Sequence, residues 1–167
     1  MKPLVSILMI VVAGGICAAH AGSVAVRSQG DTVIVNRANG QLTQVKIRTH
    51  EVQIGKSSDP RPTRIDSNCT YSRFPCSVVD SVEISVSGDS VFVPRSVFVD
   101  LADLNTAELL AGKEDEILRL SGGDGSEGYV VKIVFNANRV KRRTVASGTE
   151  PNQPLQTTIY NVVEESE

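Results

Sequence analysis

Short β-prone runs, separated by turn-forming residues at intervals of about 8 to 12 positions, run along most of the chain, and this spacing restricts the fold more than any other feature. The clearest run is Tyr129 to Phe135, where Tyr129, Val131, Ile133 and Phe135 alternate with Val130, Lys132 and Val134. A period of two places successive side chains on opposite faces of a strand. Asn136-Ala137-Asn138 then makes a turn, Val140 to Ala146 forms the next strand, and Leu155 to Val163 closes the β-rich region. Towards the N-terminus, Ser23 to Ser28 and Thr32 to Arg37 are β-rich runs joined at Gln29-Gly30-Asp31. Asn39-Gly40 is a strong hairpin signal because both residues tolerate positive φ. Val82, Ile84 and Val86 lead into a second hairpin turn at Gly88-Asp89, followed by Val91 and Val93, and Pro94 ends that strand. These runs predict a mainly β fold, an antiparallel sandwich or barrel of about eight or nine short strands with one short helix.

Three segments depart from the pattern. Val45, Ile47 and Thr49 share one parity, whereas Val52 and Ile54 take the other. A regular strand cannot change parity, so a bulge or corner is expected near Thr49-His50-Glu51. Val97, Leu101 and Leu104 have helical spacing and predict a short helix near residues 95 to 103. A hairpin around Gly112-Lys113-Glu114-Asp115 follows, although Asn105-Thr106-Ala107-Glu108 also resembles a helix capping box and leaves a helical alternative open. From Gly55 to Pro75 the pattern vanishes into a long irregular connection, and such a segment is generally functional or mobile.

The first residues read as an export signal. Lys2 supplies a positive start, Leu4 to Ala13 is apolar apart from Ser6, and Ala19-His20-Ala21 ends in a small-residue cleavage pattern before Gly22. The expected division is a cleaved signal peptide at 1–21, one β-rich domain at 22–163 and an acidic disordered tail at 164–167. The apolar stretch is shorter than the roughly 20 residues of a membrane span, and no other segment approaches that length. Cys17 follows Ile16, not the small residue that precedes a lipidated cysteine. The chain is therefore expected in the periplasm or outside the cell. In an oxidising compartment the two remaining cysteines, Cys69 and Cys76, read as a disulfide. It closes a short loop and contributes about 2.5 kcal/mol on the loop-entropy relation.

Composition narrows the function. The net charge is −2, aromatic residues make up 4% and tryptophan is absent, so neither a basic field for nucleic acid nor stacking platforms are available. Only His50 remains after the expected processing, and the nucleophile-elbow, zinc-protease and phosphate-loop motifs are missing. No catalytic residue, metal site or cofactor is assigned. A hydrolase built on paired carboxylates stays as an alternative, because such pairs form in space and leave no sequence signature.

Two strings stand out as binding candidates. Ser121 to Gly128 holds four glycines with Asp124, Ser126 and Glu127. It reads as a plain connection, as a partner-contacting loop through Gly123, Asp124, Ser126 and Glu127, or as oxygen ligands for calcium, though the EF-hand order is absent. Arg139, Lys141, Arg142 and Arg143 concentrate four cations in five residues, either a solvated strand face or a patch for an acidic protein. The expectation is an exported non-catalytic binding protein with a protein partner, such as an inhibitor or immunity-type protein acting on a secreted enzyme. The alternatives are a structural accessory of an envelope assembly that docks by its sheet edges, and the carboxylate hydrolase.

Overall fold

Two antiparallel sheets enclose a shared apolar core in the computed structural model, which describes residues 22–38, 40–53, 69–70, 73–112 and 114–161. The expected signal peptide, most of the 55–75 connection and the acidic tail lie outside the described residues. The larger sheet has six strands, in the spatial order β1 (Val24–Ala25), β6 (Leu104–Ala111), β7 (Glu116–Gly122), β8 (Tyr129–Phe135), β9 (Val140–Ser147) and β10 (Pro154–Ile159). The smaller sheet has the order β2 (Gly30–Ala38), β3 (Gln41–Val52), β4 (Cys76–Val86) and β5 (Asp89–Val91). Among the described residues the fold is thus a sandwich of ten strands, one or two more than the turn spacing implied.

Alternation builds the core. Ile34, Val45, Ile47, Val82, Ile84 and Val86 point inward from the smaller sheet and are buried against Leu109, Leu118, Leu120, Val131, Ile133 and Phe135 of the larger. Each such side chain gains about 1.5–3 kcal/mol from leaving water. On the outer face of the smaller sheet the same alternation sets charges opposite one another. Lys46 pairs with Glu83 at 2.7 Å and Arg48 with Asp31 at 2.8 Å. The hydrogen bond from Arg48 holds the Asp31 carboxyl below its usual pKa.

A hairpin joins β2 to β3 where expected, with Ala38 opposite Gln41 and Gly40 at φ 77°, Asn39 itself lying outside the described residues. The second hairpin turns one residue earlier than expected. Val86 pairs with Asp89, and Ser87 (φ 54°) and Gly88 (φ 96°) form the bend, the positive-φ pair that a two-residue hairpin requires. The parity break is near its expected place but on the partner strand. Arg48 opposes Ser81 and Thr49 opposes Val79, which leaves Asp80 of β4 as the extra residue, while Thr43, Val45, Ile47 and Thr49 all stay inward on β3.

Two expectations are corrected. The runs flanking Gln29-Gly30-Asp31 separate into different sheets: β1 pairs with β6, and β2 pairs with β3. The short helix near 95–103 is a single 3₁₀ turn at Arg95–Val97. Val97, Phe98 and Leu101 are all buried in the core from this irregular segment, so their spacing records contact with the sheets and not a helical repeat. The capping-box residues Asn105 to Glu108 lie in β6, where Leu109 opposes Leu118 and Glu108 opposes Arg119 across the hairpin with β7.

Candidate functional site

At the end of the sandwich where β6 begins and β7 ends, the disulfide-closed loop and the Gly-rich loop are fastened together. Cys69 and Cys76 are bonded, as the pairing rule expected, with their Cα atoms 5.7 Å apart. Asp103, only 2% exposed and at φ 49°, holds this loop through its carboxylate. Its Oδ2 accepts the backbone N–H of Thr70 at 2.7 Å, and its Oδ1 accepts that of Ser77 at 2.9 Å. Each donor is the residue after a bridged cysteine, so one carboxylate anchors both arms of the loop. Aspartate is among the few residues that adopt positive φ readily, which places its side chain here at modest cost.

Arg73 extends the connection. Its guanidinium donates to the Asp103 carbonyl at 3.2 Å and to Asn105 Oδ1 at 2.6 Å, and reaches the Gly123 carbonyl at 3.4 Å. Asn105 Nδ2 also donates to the Gly123 carbonyl at 2.8 Å, and the Gly123 N–H donates to the Asp103 carbonyl at 3.1 Å. A Cβ on Gly123, which sits at φ 73°, would lie 2.3 Å from the Glu127 carbonyl oxygen. Gly123 is therefore a buried anchor and not a contact residue. Beyond it, Asp124 is exposed and Gly125–Glu127 makes one exposed 3₁₀ turn closed by the Glu127 N–H to the Asp124 carbonyl. Gly148 docks beside this tip by donating to the Gly128 carbonyl at 2.7 Å.

The basic run does not join this end, and it does not form one patch. Arg139 is half-buried beside the 136–138 turn at the opposite end, where it bridges to Phe92. Lys141 pairs with Asp115 at 2.6 Å. Arg142 is exposed on the outer face of β9, whereas Arg143 faces inward in register with Ile133 and is 3% exposed. Arg143 is thus withdrawn from any docking surface, because strand alternation turns neighbouring cations to opposite faces.

Other chemistry is sparse among the described residues. Cys69, Cys76 and Asp103 are the cluster with metal-ligand spacing, but the two sulfurs are bonded to each other. His50 Nδ1 lies 2.6 Å from Asp80 Oδ1 on the outer sheet face, with both side chains substantially exposed. No described hydroxyl or thiol is hydrogen-bonded to the other ring nitrogen. The Tyr129 hydroxyl bridges the N–H and carbonyl of Ala102, and burial pushes its pKa up.

Sequence reasoning singled out the two cysteines, which are bonded, and the Gly-rich string, and it missed Asp103, Asn105 and Arg73. None lies on a periodic pattern. The available signal was an aspartate just before a strand, a residue type that favours the left-handed region. No helix among the described residues is long and apolar enough to cross a membrane. No protein family, curated protein or solved structure matches the chain.

Proposed function

We propose that this chain is an exported, non-catalytic binding protein that presents its Gly-rich tip to a protein partner, in the manner of an inhibitor or immunity protein seated on a secreted enzyme. The observation that carries the reading is the Arg73 bridge. It ties the disulfide loop to Gly123 and leaves Asp124, Ser126 and Glu127 exposed on an anchored base. A loop held in place before binding loses less conformational freedom on association, so more of its contact energy appears as affinity. Asp124 and Glu127 make the tip acidic, which suits a partner cleft lined by cations. The signal-like first 21 residues and the disulfide favour an envelope or extracellular setting.

Affinity capture from an envelope extract, followed by titration of the captured partner, tests the reading. Asp124→Ala with Glu127→Ala is expected to weaken that binding about tenfold or more while leaving the melting temperature near wild type, as exposed substitutions do. A partner bound with unchanged affinity by this double variant would place the binding surface elsewhere and sink the proposal.

A further inference from the structure

β10 ends the six-stranded sheet, and its features are those of a pairing strand. Five of its six residues are exposed, so neither of its faces is covered by the smaller sheet. Leu155 is 78% exposed and Ile159 62%. The sequence from Pro151 to Val163 carries no charged residue. Natural edge strands are ordinarily protected by lysine, inward charges or proline along the strand, because open N–H and C=O groups template another chain. Past the register shift between Pro154 and Gln156 this edge has none of those devices.

The ladder shows which groups are open. The Tyr160 N–H donates to the Lys141 carbonyl, and Thr158 pairs with Arg143. Hydrogen-bonding direction alternates along an antiparallel strand, so the main-chain groups of Thr157 and Ile159 point away from β9.

We propose that β10 pairs with β10 of a second copy of this chain, antiparallel about a two-fold axis at Thr157. That register sets Thr157 opposite Thr157 of the other copy, with their outward N–H and C=O groups bonding reciprocally. It also brings Ile159 of each copy towards the Leu155 segment of the other, where the ladder with β9 shifts register between Pro154 and Gln156, so exposed aliphatic side chains gather at both ends of the seam. Thr–Thr and aliphatic pairs are among the favourable combinations opposite one another on a sheet. No like charges face across the seam. The nearest repeated cation is Arg143, which is paired with Asp100 and lies three strand spacings across and two residues along from its copy, roughly 16 Å, with Arg142 farther still, both beyond the Debye length of about 8 Å at physiological salt. The strand's self-complementarity therefore favours a second copy over a strand of different composition. The contact is smaller than the roughly 1,200 Å² of a stable interface, so the dimer is a weak one.

Sedimentation equilibrium on the exported protein up to about millimolar concentration tests the pairing. Wild type is expected to show a monomer–dimer equilibrium. Thr157→Lys and Thr157→Glu each place like charges across the axis and are expected to raise the dissociation constant about tenfold or more. Mixing the two variants is expected to restore association. Far-UV circular dichroism confirms folding, and either variant alone suffices if the other misfolds. In wild type the Thr157 and Ile159 amides should become more protected from hydrogen exchange as concentration rises. A monomeric wild type, a lysine or glutamate variant that dimerises like wild type, or a mixture that fails to associate would each overturn the proposal. Binding of β10 to a different protein by an otherwise monomeric chain would overturn it as well.

Discussion

Arg143 Nη2 lies 2.8 and 2.7 Å from the two carboxylate oxygens of Asp100, with the arginine side chain 3% exposed and the aspartate 39%. A guanidinium withdrawn from water requires a counter-charge, and the segment after the 3₁₀ turn at Arg95–Val97 supplies it. Asp100→Ala is therefore expected to cost about 2–4 kcal/mol, slightly below the range for a fully buried pair because Asp100 is partly solvated. Arg142→Ala, one residue away on the exposed face, is expected to change stability by less than about 0.5 kcal/mol. Urea denaturation of both variants checks the contrast, and equal effects would contradict it.

Asp103 and the disulfide hold the same loop, so their contributions should couple. Asp103→Ala strands two backbone donors and puts alanine at positive φ, an expected loss of about 2–4 kcal/mol. Replacing Cys69 and Cys76 with serine is expected to cost about 1–3 kcal/mol, as only a short loop is released. In that background Asp103→Ala should cost less than in wild type, by about 0.5 kcal/mol or more. Strict additivity in a double-mutant cycle would show that the carboxylate and the bridge act independently.

Tyr129 makes stability depend on alkaline pH. Burial raises the pKa of its hydroxyl above that of the unfolded chain. The neutral form is favoured when folded, so its contribution is complete below pH about 10 and is lost as pH rises from there towards the folded value. Tyr129→Phe should cost about 1–3 kcal/mol at neutral pH by leaving the Ala102 N–H and carbonyl without their partner. The same substitution should flatten the alkaline limb of a stability profile. A limb as steep as wild type would assign the alkaline loss to another group.

The two positive-φ glycines of the tip separate packing from backbone freedom. Gly123→Ala meets the Glu127 carbonyl oxygen at 2.3 Å and is expected to destabilise by about 2 kcal/mol or more. At Gly125, φ 49°, an added Cβ meets nothing within 4 Å, so Gly125→Asn is expected to be tolerated within about 0.5 kcal/mol, asparagine being at ease in this region. Thermal denaturation ranks the two, and a costlier Gly125→Asn would reverse the assignment.

Local chemistry was legible in the residues alone. The alternation from Tyr129 to Phe135, the hairpin at Gly40 and the Asn136-Ala137-Asn138 turn all appear where the sequence places them, because side-chain parity and positive-φ tolerance are properties of neighbouring residues. The Cys69–Cys76 bridge was legible for a similar reason, being the pair left after the expected processing and a few residues apart. What required the tertiary structure was every choice between distant partners. Val24 and Ala25 joined β6 and not the adjacent β2, since an edge pairing is decided by which open ladder lies alongside. Arg142 and Arg143 are equivalent cations in sequence, yet one is solvated and the other faces Asp100, because strand parity acquires an inside only once a second layer covers it. Asp103 had no pattern to announce it. Its role arises where the arms of the disulfide loop, 26 and 33 residues away in the chain, bring two backbone donors to one carboxylate. Non-local convergence of this kind has no sequence period to reveal it.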